Sequence, residues 1–426
     1  MKKHEIFKLI VQTIKSFLES PDCLEAHRAQ NKFVRNRKLS FLHTVWYLFF
    51  SSKASMNQNL AMIKLELPNI AFPDVTKQAI SKARQNIHPY LFRDLFNLSV
   101  DAFYQNIDAR KTWHGYHLFA IDGSKIELPN SQSNFEHFGE MFGYPDSNRK
   151  FTMALASVVY DVLDDYIVHA SIERYLAGER AVAIEHLNAL EALNIYNDSI
   201  VIFDRGYYSE VMFRYCVNHN HLCVMRLREN YKMAKNCKGD TIATLPGNTK
   251  NNTEDIEVRV VEVTLDDGSK EYLATNLFNE EITAQMFKEL YFKRWPIEMK
   301  YHELKSFFKL EEFNGATPTS IIQEFYINLL LSNMASLIKN HVDEQIQSGS
   351  NPANKYRYQA NRSFIIGQLK YCLIRYLCGQ LELIVFDDLM TAAFKNRSQI
   401  QPGRSFPRKK NKAIGRTHFR NKKVAF

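Results

Sequence analysis

Apolar residues recur at helical spacing near the start of this chain. Residues 4–19 place them every three or four positions, which predicts an amphipathic helix that ends before Pro21. Residues 40–65 indicate a second, buried helical region. Residues 72–87 begin with Phe-Pro-Asp and predict a short helix, which resembles the reading helix of a small DNA-binding domain. We expect its exposed side to carry four polar residues, Gln78, Ser81, Lys82 and Arg84. An ordinary polar surface helix explains that side equally well.

The pattern changes near residue 116 to short apolar runs typical of strands. Residues 117–128 form one such run, interrupted by Asp-Gly at 122–123. Residues 151–162 and 165–175 predict a β-hairpin that turns at 163–165.

A helix and a further strand continue the same region. Residues 179–190 predict the helix, and residues 197–208 predict a strand that ends at Asp204. Strands that precede and follow a helix in this order indicate an α/β sheet. In such sheets the functional residues collect where the strands end.

The composition is that of a folded protein with a sizeable core. The 426 residues are 45% hydrophobic, which predicts two or three domains. We expect no membrane span, since the apolar runs are short or interrupted by polar residues. The amphipathic beginning argues against a secretory leader. None of the six cysteines forms a C-x-x-C pair, so we expect reduced thiols and a cytoplasmic location.

The net charge of +9 is concentrated at one end of the chain. Residues 404–426 contain nine Lys and Arg and no acid, so the rest of the chain is formally neutral. A cationic arm on a neutral body indicates a polyanionic partner. Nucleic-acid binding and a simple solubilising tail are equal alternatives for this feature alone.

Two aspartates directly follow runs of three apolar strand residues. They are Asp122, after residues 119–121, and Asp204, after residues 201–203. An unpaired carboxylate is costly to bury, so neither suits a core. Each alone is better explained as a turn residue, and Asp-Gly is a good turn dipeptide. Together with an acid among cations on a later helix, they indicate a functional site.

That third acid, Glu298, lies in a cationic and aromatic stretch. On one continuous helix Tyr291, Glu298 and Lys305 would recur seven positions apart, with Arg294 on the same face. Pro296 leaves two alternatives: the helix begins there, with Glu298 in its first turn, or it kinks there. An adjacent stripe is expected to pack on the sheet; it contains Ile297, Tyr301, Leu304 and Phe308. Trp295 is expected in the core rather than stacked on an unpaired base, because an indole is mostly apolar.

These residues together resemble a known family. Tyr291, Arg294, Glu298 and Lys305 fit Y-x2-R-x3-E-x6-K, the signature of the insertion-sequence-four group of bacterial DDE transposases. Further matches follow in the group's order: IDGS at 121–124, FDRGY at 203–207 and LATNL at 273–277. The resemblance extends over residues 31–339. Its specificity comes from the acids, the cations and their order together.

The resemblance implies an α/β fold with a ribonuclease-H-like catalytic core, interrupted by a β-rich insertion and flanked by helical regions. The long separation of Asp204 from Glu298 leaves room for that insertion. The implied divisions are a helical N-terminal DNA-binding region (1–105), the first part of the core (106–218), the insertion (219–280), the second part of the core (281–345), a C-terminal helical region (346–403) and a basic tail (404–426).

The resemblance also implies the chemistry. Asp122, Asp204 and Glu298 would be the catalytic acids and would bind two Mg²⁺ ions, for which Mn²⁺ can substitute. Carboxylate oxygens suit Mg²⁺, and two ions can activate the attacking oxygen and stabilise the leaving one. Tyr291, Arg294 and Lys305 would contact DNA phosphates. Lys82 and Arg84 are the predicted DNA contacts of the N-terminal region.

The predicted function is therefore that of an insertion-sequence transposase. Its partners would be double-stranded DNA, as element ends and target, and a second copy of the chain in the DNA complex. No Walker motif is present, so we expect no use of ATP. A nucleoid-associated cytoplasmic location follows. Two alternatives remain open: a metal-dependent nuclease on the same fold, and a non-catalytic, domesticated DNA-binding relic.

Overall fold

A computed structural model gives the fold. It describes residues 1–35, 37–70, 72–142, 150–247, 253–351 and 355–400. The predicted basic tail at 404–426 lies outside the described residues.

Helices make up most of both ends of the described chain. The N-terminal helices are α1 (Lys3–Glu19), α2 (Pro21–His27), α3 (Phe41–Phe50), α4 (Met56–Glu66), α5 (Lys77–Arg84) and α6 (Leu91–Asn106). The central helices are α7 (Gln132–Phe138), α8 (Glu179–Ala192), α9 (Glu210–Asn218), α10 (Lys232–Asn236), α11 (Ala284–Phe292) and α12 (Pro296–Ser306). The last helices are α13 (Pro318–Ser348), α14 (Arg362–Leu377) and α15 (Val385–Lys395).

Strands occupy the middle of the chain. The first five are β1 (His117–Leu128), β2 (Glu140–Phe142), β3 (Lys150–Asp161), β4 (Tyr166–Arg174) and β5 (Ser199–Phe203). The next four are β6 (Leu222–Arg226), β7 (Asp240–Leu245), β8 (Ile256–Thr264) and β9 (Lys270–Thr275). A separate short pair consists of β10 (Tyr358–Gln359) and β11 (Ser398–Gln399). The predicted α/β class is confirmed.

The chain divides into two compact units. The helical unit contains residues 1–108 together with the described parts of 125–154 and 303–400. The sheet unit contains residues 109–124 and the described part of 155–302.

The core of the helical unit forms around α13. This 31-residue helix begins at Pro318, and the Thr317 hydroxyl caps it by accepting a hydrogen bond from the Ser320 N–H. Helices α1, α6, α14 and α15 pack against it. By length and composition α13 could cross a membrane, but its most apolar window is completely buried within the protein. Its apolar character is therefore explained by its position in the core.

The N-terminal helices confirm the predicted pattern. The stripe predicted for residues 4–19 is buried in α1, at Ile6, Phe7, Ile10 and Ile14. Pro21 does not end that helix by itself. It is the first residue of α2, which the Ser20 hydroxyl caps.

The sheet unit is built on three parallel strands, because β1 pairs with β5 and β5 pairs with β6. On one side β3 lies beside β1, and β4 pairs with β3 as the predicted hairpin. On the other side antiparallel β9, β8 and β7 continue from β6. Apolar side chains of these strands pack with those of α11 in one core, which includes Leu118, Ile200, Ile202, Phe287 and Leu290.

Gly123 lies inside β1 rather than in a turn. The interpretation of Asp-Gly at 122–123 as a turn is therefore wrong. A Cβ added at Gly123 would lie 2.9 Å from Leu155 Cδ1, so the buried Leu155 side chain would have to shift to accommodate it.

We expect Gly123→Ala to lower the free energy of unfolding by about 1–3 kcal/mol, because overpacking a tight core forces shifts of that cost. Chemical denaturation measures the change. Gly206→Ala is the matched control, since a Cβ there meets nothing within 4 Å. Equal stability of Gly123→Ala and the wild-type protein would contradict this account of the glycine.

Candidate functional site

Asp122 and Asp204 are neighbours on adjacent parallel strands. Ile121 of β1 is the register partner of Phe203 of β5, and each aspartate is the next residue of its chain segment. Adjacent strands lie about 4.8 Å apart, so the two carboxylates start from neighbouring backbone positions. The fold thus brings together two acids that are 82 positions apart in the sequence.

Asp204 is held as an anion. The Tyr291 hydroxyl of α11 donates a hydrogen bond of 3.0 Å to its Oδ1. Burial raises the pKa of Asp204, but the Arg205 backbone N–H, the Arg294 charge and the Tyr291 hydroxyl outweigh burial and lower this pKa below its usual value. Asp204 is therefore charged over the whole physiological pH range.

Asp122 titrates differently from its neighbour. Burial is the largest effect on it and raises its pKa to about 6, although the Gly123 N–H and the Arg294 charge oppose that rise. The charges of Asp204 and Glu298 raise this pKa further. The two neighbouring aspartates consequently have pKa values pushed apart by their surroundings, a pattern found at catalytic sites.

Glu298 lies in the first turn of α12, which begins at Pro296. The alternative of a helix start at Pro296 is thus confirmed, and residues 293–295 separate α11 from α12. Tyr291 and Glu298 do not share one continuous helical face. The carboxylate of Glu298 is engaged by Arg294, whose Nη2 lies 2.8 Å from Oε1.

Arg294 stands among all three acids. Its side chain pairs with Glu298, and its charge lowers the pKa of both Asp122 and Asp204. The residue is only 8% exposed. Its Nε has no hydrogen-bond acceptor among the described residues. A buried donor of this kind is suited to a phosphate oxygen, since guanidinium recognises phosphate in a planar, two-pronged manner.

Tyr301 attaches α12 to the strands that carry the site. Its hydroxyl lies 2.9 Å from the Asp122 carbonyl oxygen and 3.0 Å from the Ala156 carbonyl oxygen. Sequence reasoning assigned Tyr301 to an apolar stripe, whose four residues are all buried as predicted. The polar role of the hydroxyl was missed, because periodicity reports burial and not the position of a single oxygen.

The donor chemistry of the three acids fits a divalent cation. Carboxylate oxygens are the ligands that Mg²⁺ prefers. Burial is the main cause of the raised pKa of Asp122, and the charges of Asp204 and Glu298 add a smaller contribution that a cation would relieve. Within the described part of the chain, no three Asp, Glu, His or Cys side chains already stand in a metal-binding arrangement. In this structure Glu298 forms an ion pair with Arg294. The positive charge of Arg294 also offsets part of the repulsion between the three carboxylates.

Lys305, the last residue of the signature, belongs to the helical unit. Its Nζ donates to the Lys125 carbonyl oxygen at 3.0 Å and lies 3.5 Å from the Glu311 carboxylate. The side chain is partly exposed. Its predicted contact with DNA stays a prediction.

The expected exposure of Arg84 is wrong. Arg84 is 3% exposed, and its guanidinium contacts Glu324, Gln323 and the Ser320 carbonyl oxygen. The sequence pattern of an eight-residue amphipathic helix does not show whether one of its arginines forms an ion pair with a buried acid elsewhere in the chain. Arg84 is thus an internal partner of Glu324, whereas Lys82 is exposed on the same helix and remains a predicted DNA contact.

The expected burial of Trp295 is also wrong. Its side chain is 46% exposed, because it falls in the turn between α11 and α12 rather than on a helical face. Trp295 therefore contributes an aromatic surface beside Arg294.

Arg226 is a further residue near the site that sequence reasoning missed. Met225 is the register partner of Phe203, so Arg226, the last residue of β6, lies beside the position that Asp204 occupies just after β5. Asp122, Asp204 and Arg226 occupy equivalent positions on three successive strands. Only the register of the parallel strands reveals this, and no local motif encodes it.

Comparisons with known proteins identify the family and the fold. The family described as "Transposase DDE domain" matches residues 113–334. A solved structure similar to this chain is described as a cryo-EM structure of a piggyBac transposase synaptic complex with hairpin DNA, at 11% sequence identity and a TM-score of 0.50. That similarity covers 93% of this chain and 85% of the other. No curated protein matches the chain. The predicted ribonuclease-H-like α/β class is confirmed.

Proposed function

The chain belongs to the Transposase DDE domain family, and from that membership we propose that it is the transposase of a bacterial insertion sequence of the insertion-sequence-four group. It would bind the terminal inverted repeats of its element, cut the DNA there and join the freed ends to a target. The match of Tyr291, Arg294, Glu298 and Lys305 to the Y-R-E-K signature supports the assignment to the insertion-sequence-four group.

The observation that carries the proposal is the convergence of three acids on one part of the sheet unit. The strand register makes Asp122 and Asp204 neighbours. Tyr291 and Tyr301, on the two helices that flank residues 293–295, bond to Asp204 and to the Asp122 carbonyl oxygen. Glu298 lies one helical turn before Tyr301, and its charge raises the pKa of Asp122. A purely structural role would not require such a cluster of like charges.

Divalent cations, Mg²⁺ or Mn²⁺, would be held by Asp122, Asp204 and Glu298. When bound, two such ions would activate the attacking oxygen and stabilise the leaving oxygen during cleavage or joining of a phosphodiester bond. Glu298, which pairs with Arg294 in this structure, would be one of the residues that hold the ion. The Arg294 guanidinium would then be available to a DNA phosphate.

The protein's own cations and hydroxyls would orient the DNA. Arg294 would bind a phosphate through two N–H groups, and Lys305 would act as a point charge. The Tyr291 hydroxyl, which already donates to Asp204, would keep that carboxylate in position. Water would first attack at the element end, and the freed 3′-hydroxyl would then attack the target strand.

The proposed partners follow from this reaction. They are double-stranded DNA, as element ends and target, and a second copy of the chain, because two ends must be brought together. Residues 363–377, which lie in α14, would support the contact between the two copies, and the basic tail is a further predicted DNA contact. The reaction needs no ATP. We place it at the nucleoid of a bacterial cytoplasm.

Mg²⁺ binding should depend on pH through Asp122. A proton competes with the cation for this carboxylate, so we expect Mg²⁺ affinity to rise as pH increases to about 6 and then to level off. Without metal, the raised pKa lets the folded protein retain a proton between about pH 4 and 6 that the unfolded chain has lost. This contribution to stability is therefore present at low pH and lost as pH rises through about 6.

Thermal unfolding between pH 5 and 8, with and without Mg²⁺, measures both effects. The increase in Tm caused by Mg²⁺ should be small at pH 5 and reach its full size above pH 6 to 7. Asp122→Asn should remove this pH dependence. An Mg²⁺ effect of equal size at pH 5 and pH 8 would contradict the assignment of Asp122 as a ligand.

A plasmid assay tests the proposed function. The gene with its native flanks is placed on a plasmid, with a selectable marker between the element ends, and excised and newly joined DNA is quantified. Joined products from the wild-type protein support a transposase. Cut but unjoined DNA would indicate the nuclease, and DNA binding without cutting would indicate the non-catalytic relic.

A further inference from the structure

A cationic cavity lies beside Asp204, on the side away from β1. Its volume is about 400 Å³. Four cations and two acids line it: Arg205, Arg226, Arg228, Lys270, Glu229 and Glu271. The side chains therefore give the cavity a formal charge of +2. The Y-R-E-K signature contains none of these residues.

The strand register links this cavity to the site. Arg226 follows Met225, the partner of Phe203, just as Asp204 follows Phe203. Arg205 is the residue after Asp204 and is exposed. Burial raises the pKa of Asp204, and Arg226 is among the cations that offset this effect. The cavity therefore lies next to the second acid, through its lining residues Arg205 and Arg226.

Glu271 fixes one of the cations. Its Oε1 lies 2.7 Å from Arg226 Nη2, and its side chain is mostly buried. A guanidinium has five N–H donors, so a single ion pair leaves others for a ligand. Arg205 and Arg228 are exposed, and neither has an ion-pair partner in the part of the chain that the structure describes. The cavity therefore combines one oriented guanidinium with two that are accessible.

We propose that this cavity binds backbone phosphates of a DNA strand that passes Asp204, as a second phosphate site distinct from Arg294 and Lys305. The inference rests on the proposed function. Arginine suits the task because its planar N–H groups match phosphate oxygens. The strand comes from one of two sources with the same chemistry: the donor DNA that flanks the element, or the target duplex.

Binding measurements on the full chain test the proposal. The variant is Arg205→Ala/Arg228→Ala, which changes two exposed side chains. The control is Lys288→Ala, a cation of α11 that pairs with the exposed Asp266 and does not line the cavity. The three probes are a duplex of the element end with its flank, the same end without flank, and an unrelated duplex. Each is titrated with Ca²⁺ in place of Mg²⁺ at several salt concentrations.

The double variant should bind one or more of the duplexes at least about tenfold more weakly, since it loses hydrogen bonds between charged donors and charged phosphate oxygens. The slope of log affinity against log salt should shrink by about 2, close to one for each lost phosphate contact. A loss confined to the flanked end identifies donor DNA as the ligand. A loss on the unrelated duplex identifies target DNA.

Other outcomes overturn the proposal. One is unchanged affinity and salt slope for all three duplexes. Another is an equal loss in Lys288→Ala, which would show that only net charge matters. The plasmid assay separates the two levels of failure. If wild type joins DNA and the double variant binds as wild type does, only the cavity assignment fails. If wild type neither binds nor joins DNA, the proposed function fails with it.

Discussion

Asp204→Asn is expected to lower the yields of both cut and joined DNA about 1,000-fold or more, because a lost metal ligand removes several kcal/mol of transition-state stabilisation. Asparagine keeps the shape of the side chain, and its oxygen can still accept the hydrogen bond from the Tyr291 hydroxyl. The fold should therefore be retained, with a Tm close to that of wild type.

The measurement is the plasmid assay, with protein levels and Tm checked in parallel. Asp266→Asn is the matched control, since Asp266 is an exposed acid of the sheet unit, 92% accessible, in an ion pair with Lys288. It should retain full activity. Normal joining by Asp204→Asn would remove Asp204 from the site.

Arg84→Met is expected to destabilise the protein by about 3–5 kcal/mol, because it removes one of the two cations that pair with a buried acid. The acid is Glu324, 7% exposed, whose Oε1 lies 3.2 Å from Arg84 Nη1. Lys53 and the backbone N–H groups of Asn314 and Gly315 also contact Glu324, but they cannot replace the lost guanidinium. Denaturant unfolding measures the loss.

Lys82→Ala is the matched control on the same helix. Lys82 is exposed, so its removal should change stability by less than about 0.5 kcal/mol. If α5 contacts DNA, this variant should weaken binding without affecting the fold. An Arg84→Met protein as stable as wild type would contradict the structural role of Arg84.

The Arg84–Glu324 pair also predicts how stability varies with pH. Burial raises the pKa of Glu324, but Lys53 and Arg84 outweigh burial and lower it below its usual value. The folded protein therefore releases this proton more readily than the unfolded chain. The resulting stability is present above the ordinary glutamate pKa and is lost as pH falls through the lowered pKa.

Sequence patterns were sufficient where one physical requirement dominates. The stripe of α1 and the apolar run of β5 were predicted because burial of one helical face, or of a whole central strand, imposes a clear period. The start of α12 at Pro296 was one of two alternatives, since proline suits a first turn and a kink alike. The assignment of residues 219–280 as a separate insertion stays a prediction, because β6–β9 belong to the same sheet as β1 and β5.

Other features depend on contacts that no local pattern encodes. Arg84 faces Glu324 across 240 positions of sequence, and Arg226 lies beside Asp204 only through strand register. Asp-Gly at 122–123 has the composition of a turn, yet Leu155 on a neighbouring strand explains the glycine. Trp295 is exposed because α11 and α12 are separate helices. In each case a partner distant in sequence determines the outcome.

The most direct test of the central claim compares wild type with Glu298→Gln in the plasmid assay, with and without Mg²⁺ for the purified proteins. Glutamine retains an oxygen that can accept from Arg294 but lacks the charge that a cation requires. We expect joined DNA from wild type in Mg²⁺ and none from the variant, at equal protein levels. Joined DNA from Glu298→Gln at the wild-type yield would contradict it.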